Sequence, residues 1–276
     1  MCFGSRCGGK EQAMKSVLEF QKKQASGDPI SMVTCYDTWS ARIINDSEID
    51  CILVGDSASM VMHGHPSTVH ADVDMMTAHV RAVAKGAPDK FIIGDIPFLA
   101  HRKGIQPLME TVDRLMKAGA HSVKLEGAQG HLDELSHIVQ SGVPVMGHLG
   151  LTPQSVHQLG GFKVQGKGEE TARAIMEDAV ALEKAGCFSM VLECIPAPLA
   201  KKITDALTTP TIGIGSGPDT SGQVLVLHDL LGMDPSFQPK FVRRYLDGYG
   251  LIKNAIDQFD EDVKSKSFPV KKESFV

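Results

Sequence analysis

The chain has 276 residues, 42% of them hydrophobic and 22% charged, and a formal net charge of −5. That is enough for one sizeable core, and an α/β barrel typically uses roughly 250 residues. The lysines and arginines are scattered, which argues against nucleic acid; no apolar stretch approaches the roughly 18 residues that span a bilayer, and no signal-peptide core opens the chain, so a cytoplasmic protein without a membrane partner is expected.

Residues 1–27 read as an N-terminal segment and helix, partly disordered, and residues 28–276 as a single barrel with C-terminal helices and a tail. From Ile30 onward, apolar β-branched runs recur and each stops abruptly. They are 30–36 before Asp37, 51–55 before Asp56, 91–94 before Asp95, 122–125 before Glu126, 143–147 before His148, 190–192 before Glu193, and 211–213 before the glycines around Gly215. Runs without alternation mark strands buried on both faces, as in parallel sheets covered by helices. Between them apolar residues repeat at helical spacing: Met76, Val80 and Val83; Leu108, Val112 and Leu115; Leu132, Leu135 and Ile138; Ile175, Ala179 and Leu182. Gly86, Gly119, Gly142 and Gly186 follow these patterns as left-handed caps that return the chain to a strand. Residues 224–227, before His228 and Asp229, read as the eighth strand, the count that closes a (βα)8 TIM barrel. The charged stretch 257–276, broken at Pro269, is expected to wrap the surface or a neighbouring subunit.

In such a barrel the strand C-termini share one face. Asp56, Asp95, Glu126, His148 and Glu193 are therefore expected to converge, although any single carboxylate serves equally well as a helix cap or a salt-bridge partner. Asp56, Asp95 and Glu126 offer hard oxygen ligands with neither thiolate nor a histidine pair, a set that suits Mg2+ over zinc or copper. A 2-oxo acid can chelate such an ion, and polarising its carbonyl acidifies the adjacent C–H, so that a base opposite makes an enolate. Glu193 is the candidate base, because its apolar flanks Val191-Leu192 and Cys194-Ile195-Pro196 predict a desolvated, raised pKa.

Lys124 lies two residues before Glu126 and so shares its side of the strand. Among several acids it is the candidate for holding the substrate carboxylate rather than a Schiff-base nucleophile. His148 either donates to a substrate oxygen or serves structure. The 212–217 stretch is either an anion-binding loop or a tight turn. Asp72 reads as a helix N-cap, and His63, His65 and His70 as loop or gate residues. The six cysteines, Cys2, Cys7, Cys35, Cys51, Cys187 and Cys194, have no CxxC pattern and no histidine at zinc spacing, and read as reduced.

A set of motifs runs in order along the chain: Val54-Gly55-Asp56-Ser57, Gly94-Asp95-Ile96-Pro97-Phe98, Val123-Lys124-Leu125-Glu126-Gly127, and Gly147-His148-Leu149-Gly150-Leu151-Thr152-Pro153-Gln154. Gly160-Gly161-Phe162-Lys163-Val164-Gln165-Gly166, Leu192-Glu193-Cys194-Ile195-Pro196, Ile212-Gly213-Ile214-Gly215 and Pro239-Lys240-Phe241 follow. On these the chain closely resembles the ketopantoate hydroxymethyltransferase, or 3-methyl-2-oxobutanoate hydroxymethyltransferase, family. The resemblance implies a barrel of the phosphoenolpyruvate/oxo-acid-binding type. It also implies transfer of a hydroxymethyl group from 5,10-methylenetetrahydrofolate to 3-methyl-2-oxobutanoate through a Mg-stabilised enolate. The product is ketopantoate, on the first committed step toward pantothenate and coenzyme A.

By the same resemblance Mg2+ sits at Asp56, Asp95 and Glu126, and the oxo acid is bound by Asp56, Ser57, Asp95 and Lys124. His148 lies near the hydroxymethyl end of the product, Glu193 is the proton acceptor, and the barrels assemble as a homo-oligomer, a decamer. The chain departs from the family at Thr38, at Ala58-Ser59, at 68–72 and at Ser216, changes that bear on rate, folate fit and the width of the oxo-acid pocket. Two alternatives compete. An isocitrate-lyase-like C–C lyase would carry a Lys-Lys-Cys-Gly-His stretch that is absent here; an inactive ligand-binding barrel would be expected to have shed its costly buried charges.

Overall fold

A computed structural model describes residues 14–275; the readings of 1–13, Cys2 and Cys7 among them, fall outside the described residues. Eight strands, β1 (Ile30–Thr34), β2 (Cys51–Val54), β3 (Phe91–Asp95), β4 (Ser122–Lys124), β5 (Val145–Gly150), β6 (Ser189–Glu193), β7 (Thr211–Ile214) and β8 (Gly222–Leu225), pair in chain order and close into a barrel. All the pairings are parallel. Every residue of β2, β3 and β4 is buried, as the unbroken apolar runs predict for strands covered on both faces.

The helices are α1 (Val17–Ser26), α2 (Thr38–Asn45), α3 (Ala58–Val61), α4 (Val73–Gly86), α5 (Ile105–Ala118), α6 (Leu132–Gln140), α7 (Val156–Leu159), α8 (Glu169–Lys184), α9 (Ala197–Ala206), α10 (Leu227–Leu230) and α11 (Gly248–Ser265). The chain forms two compact units, Met1–Leu225 with the barrel and Val226–Val276 with α10 and α11. Among the described residues no helix is long and apolar enough to cross a membrane. The charged stretch is helical as far as Ser265, so less of it is tail than its composition suggests.

Register sets the interior. Side chains alternate along a strand, and the parallel ladders align Met32, Cys51, Phe91, Met146, Val191, Ile212 and Val224 with one another's inward neighbours in a single apolar cluster. Phe20 of α1 is fully buried in the same cluster, its ring edge-on to Phe91 at 5.4 Å and to Phe188 at 5.0 Å. Since Phe91 opens β3, α1 plugs the N-terminal end of the barrel. The opposite end is left for chemistry.

Strand bounds differ from the apolar runs in an instructive way. β3 takes in Asp95, β6 takes in Glu193, and β5 continues through His148 to Gly150, because pairing persists there between Asp95 and Lys124 and between Gly150 and Glu193. The runs stop where the inward face turns ionic, short of the end of the ladder. β8 begins two residues earlier than expected, at Gly222, where an added Cβ would lie 2.3 Å from the Ile30 carbonyl and 2.8 Å from Ile212. Only glycine lets the closing strand come that near β1.

Candidate active site

The inward columns of β3, β4, β5 and β6 each end in an ionisable group at the barrel mouth. Asp95 stands two residues beyond Ile93, Lys124 beyond Ser122, His148 beyond Met146 and Glu193 beyond Val191. Glu126 follows Lys124 by another two, and Asp56 leaves β2 with its N–H donating to Asp95 Oδ2 at 3.2 Å. The structure thus brings together all five residues that strand-end reasoning selects. All but Glu193 are buried.

Lys124 Nζ lies 2.8 Å from Asp95 Oδ2, 3.9 Å from Glu126 Oε1 and 3.3 Å from His148 Nδ1. His148 bridges two carboxylates, with Nδ1 3.3 Å from Glu126 Oε1 and Nε2 3.2 Å from Glu193 Oε2. These are close ion-pair approaches without good hydrogen-bond alignment, since His148 Nε2 and Glu126 Oε1 have no aligned partner. Ser57 opens α3 beside Asp56, and its hydroxyl shares a 2.8 Å hydrogen bond with the buried Tyr36 hydroxyl.

The electrostatics follow from burial and crowding. Burial, together with the charges of Asp95 and Glu126, pushes the Asp56 carboxyl well above the usual range. Burial also raises Asp95, with Lys124 pulling back and Glu126 pushing further. Glu126 is lowered despite its burial, because His148, Lys124 and the Gln154 N–H all favour its anion. Burial alone would lower Lys124, but Asp95, Glu126 and Asp56 hold it above the lysine range. Burial and the Lys124 charge depress His148, yet its contacts with Glu126 and Glu193 raise it to about 9.

Glu193 is the least buried of the five. Its side chain is 18% exposed, and the next residue, Cys194, adopts a left-handed φ of 48°. The site's carboxylates therefore outnumber its two cationic groups, and Asp95 Oδ1 is buried with no donor. Hard, under-satisfied oxygens of this kind fit a divalent cation. Among the described residues no three His, Cys, Asp or Glu side chains close on one point, so such an ion would draw its remaining ligands from water or substrate, as magnesium commonly does.

Other candidates lie outside this cluster. Asp37 caps α2 by accepting from Ser40 N, and Asp72 caps α4 by accepting from Met75 N. His63, His65 and His70 form a stacked row that reaches His79, whose ring sits 5.1 Å from that of His63. Gly215 and Ser216 turn back onto β6, Ser216 Oγ donating to the Leu192 carbonyl at 2.7 Å, which is tight-turn packing. Cys35, Cys51 and Cys187 are buried, as small hydrophobes would be.

One residue that strand-end reasoning passes over is central. Gln154, in the turn after β5, donates from Nε2 to Asp56 Oδ2 at 2.9 Å and to the Ile96 carbonyl at 3.0 Å, while its N–H donates to Glu126 Oε2 at 3.0 Å. A neutral glutamine beyond the strand end carries no charge or periodicity signal. Its place in the Gly147–Gln154 motif was the available clue.

A family model described as ketopantoate hydroxymethyltransferase matches residues 14–271. The 3-methyl-2-oxobutanoate hydroxymethyltransferase of Bdellovibrio bacteriovorus is 57% identical over 262 residues, 95% of this chain and 100% of the relative. The enzyme of the same name from Francisella tularensis subsp. novicida is 53% identical over 95% of this chain and 99% of its own. Among solved structures, a phosphonopyruvate hydrolase complexed with oxalate and Mg++ aligns with a TM-score of 0.61 at 11% identity, covering 93% of this chain and 92% of that one. A 2,3-dimethylmalate lyase of the PEP mutase/isocitrate lyase superfamily aligns with a TM-score of 0.58 at 14% identity, over 94% and 91%. At such identities these two share the fold alone.

Proposed function

Because the chain belongs to the ketopantoate hydroxymethyltransferase family, we propose that it adds a hydroxymethyl group to C3 of 3-methyl-2-oxobutanoate, with 5,10-methylenetetrahydrofolate as the one-carbon donor and Mg2+ as cofactor. The observation that carries the reading is the pairing at the mouth of a rim-exposed carboxylate, Glu193, with a buried cluster of Asp56, Asp95, Glu126 and Lys124. Asp56 and Asp95, with Glu126 beside them, would hold Mg2+, which when bound supplies the Lewis acidity that polarises the keto oxygen.

The chain's own groups do the rest. Lys124 stays cationic and, with Ser57 at the edge of the site, meets the substrate carboxylate. Glu193 takes the C3 proton; His148, raised by its contacts with Glu126 and Glu193, faces the Glu193 carboxylate at 3.2 Å and orients it. The C3 carbanion then forms a C–C bond to the donor's methylene carbon. Water supplies the hydroxyl oxygen as the donor's C–N bonds break, and tetrahydrofolate leaves.

The reading extends to a cytoplasmic enzyme that works as a homo-oligomer, a decamer. The exposed apolar residues of α11 support assembly. Deuterium exchange at C3 of 3-methyl-2-oxobutanoate, followed by NMR with and without Mg2+ and then with the folate donor, tests the proposal. Mg2+-dependent exchange followed by ketopantoate formation is expected. Exchange without product would replace the donor or acceptor, and no exchange would remove the enolising role.

A further inference from the structure

The turn after β5 starts at Pro153, whose ring fixes φ for the first residue of a short 3-10 helix, Pro153–Ser155. In the opening of any helical turn the first N–H groups have no partner within the turn. Here the N–H of Gln154 is given to Glu126 Oε2. The side chain then runs inward, 5% exposed, and spends both amide hydrogens, one on Asp56 Oδ2 and one on the Ile96 carbonyl. A single residue from the β5 loop thus ties together the exits of β2, β3 and β4.

The choice of an amide is chemically specific. A lysine at this position would add a competing cation among the carboxylates, and a glutamate would add a further anion without a donor. Glutamine supplies two donors and no charge. The amide engages one oxygen of Asp56, and the backbone N–H, which any residue but proline would supply, engages one of Glu126; the second oxygen of each is unclaimed by this residue, and Glu126 Oε1 has no aligned donor.

Resting on the reading that these carboxylates take Mg2+, we propose that Gln154 is a positioning residue whose side chain pre-arranges Asp56 for the ion. Orienting a ligand carboxylate is a role whose loss typically weakens metal affinity about 10–100-fold.

The test compares wild type with Gln154→Ala and with Gln154→Met, the latter close to the original volume and lacking both donors, so that a poorly folding alanine variant does not end the experiment. Mg2+ binding is titrated calorimetrically without substrate, C3 exchange is measured across Mg2+ concentrations, and melting temperature is followed in parallel. The expected result is a 10–100-fold weaker Mg2+ affinity in a folded variant, with the exchange rate largely restored at saturating Mg2+ and little change in the KM for the oxo acid. A folded variant with wild-type Mg2+ affinity overturns the positioning role alone, even where its exchange rate falls. A wild-type protein that binds no Mg2+ overturns the metal reading and this role with it.

Discussion

The proposed mechanism gives proton removal to a rim carboxylate, Glu193, with the buried His148 ring 3.2 Å away. Gln is isosteric with Glu and cannot accept the proton, so Glu193→Gln should slow C3 exchange by about 10²–10⁴-fold, the usual worth of a general base, while 3-methyl-2-oxobutanoate still binds. NMR exchange alongside a binding titration checks this; wild-type exchange in the variant would remove Glu193 as base. A second residue carries a pH signature away from the chemistry. Burial, with the His131 and Arg102 charges, lowers buried His101 from 6.5 to about 4. A histidine held neutral by the fold contributes fully above its unfolded pKa, and that stability is lost as pH falls from about 6.5 toward 4. At pH 5 the penalty is about 2 kcal/mol. His101→Phe cannot be protonated, so the stability difference between variant and wild type should shift in the variant's favour by that amount between pH 7.5 and pH 5 in denaturant titrations. A pH-independent difference would mean that His101 is not held neutral.

The exits of β5 and β6 fit together through a missing side chain. Gly150 sits at φ 93°, and a Cβ there would lie 2.2 Å from the Glu193 carbonyl oxygen and 2.7 Å from Ile195. Gly150→Ala therefore combines a left-handed strain of about 1–3 kcal/mol with a backbone clash on the strand that carries Glu193. The expected outcome is a lower melting temperature together with a larger loss of C3 exchange than of Mg2+ affinity; equal losses of both would show that the disturbance spreads through the whole mouth. This level also shows how much was legible beforehand. Strand positions, their parallel order and the five ionisable residues at the mouth could be read, because burial on both faces leaves long apolar runs that ionic groups interrupt. What could not be read was whether an ionic residue ends a strand or merely faces inward on it. His148 stands within β5, with Leu149 and Gly150 still paired beyond it. The partial exposure of Glu193 is not revealed by its apolar neighbours in sequence. Gln154 acts through hydrogen bonds to residues 28, 58 and 98 positions away, contacts that only the closed barrel creates.

At the largest scale, α11 presents an apolar seam that its own unit leaves open. Tyr249, Ile252, Ile256, Phe259 and Val263 follow one another at spacings of three and four, and each is between 45% and 61% exposed. That alternation is the a/d pattern by which a helix packs along a second helix. Ion pairs join Lys253 to Asp257 and Lys264 to Asp260 along the same helix, and such pairs support it without covering the seam. Five large apolar side chains in one exposed row form a patch that a monomer in water would rarely keep, and the proposed homo-oligomer would bury it between copies of the chain. Light scattering of the wild-type protein should then give a mass several times that of one chain. Ile256→Glu combined with Phe259→Glu places two charges at the middle of the row, where an apolar contact would have to bury them unpaired, and should lower that mass while the barrel's circular dichroism stays unchanged. If the mass is unaltered by the pair, the seam is not the contact, and assembly must run through the faces of the barrel helices instead.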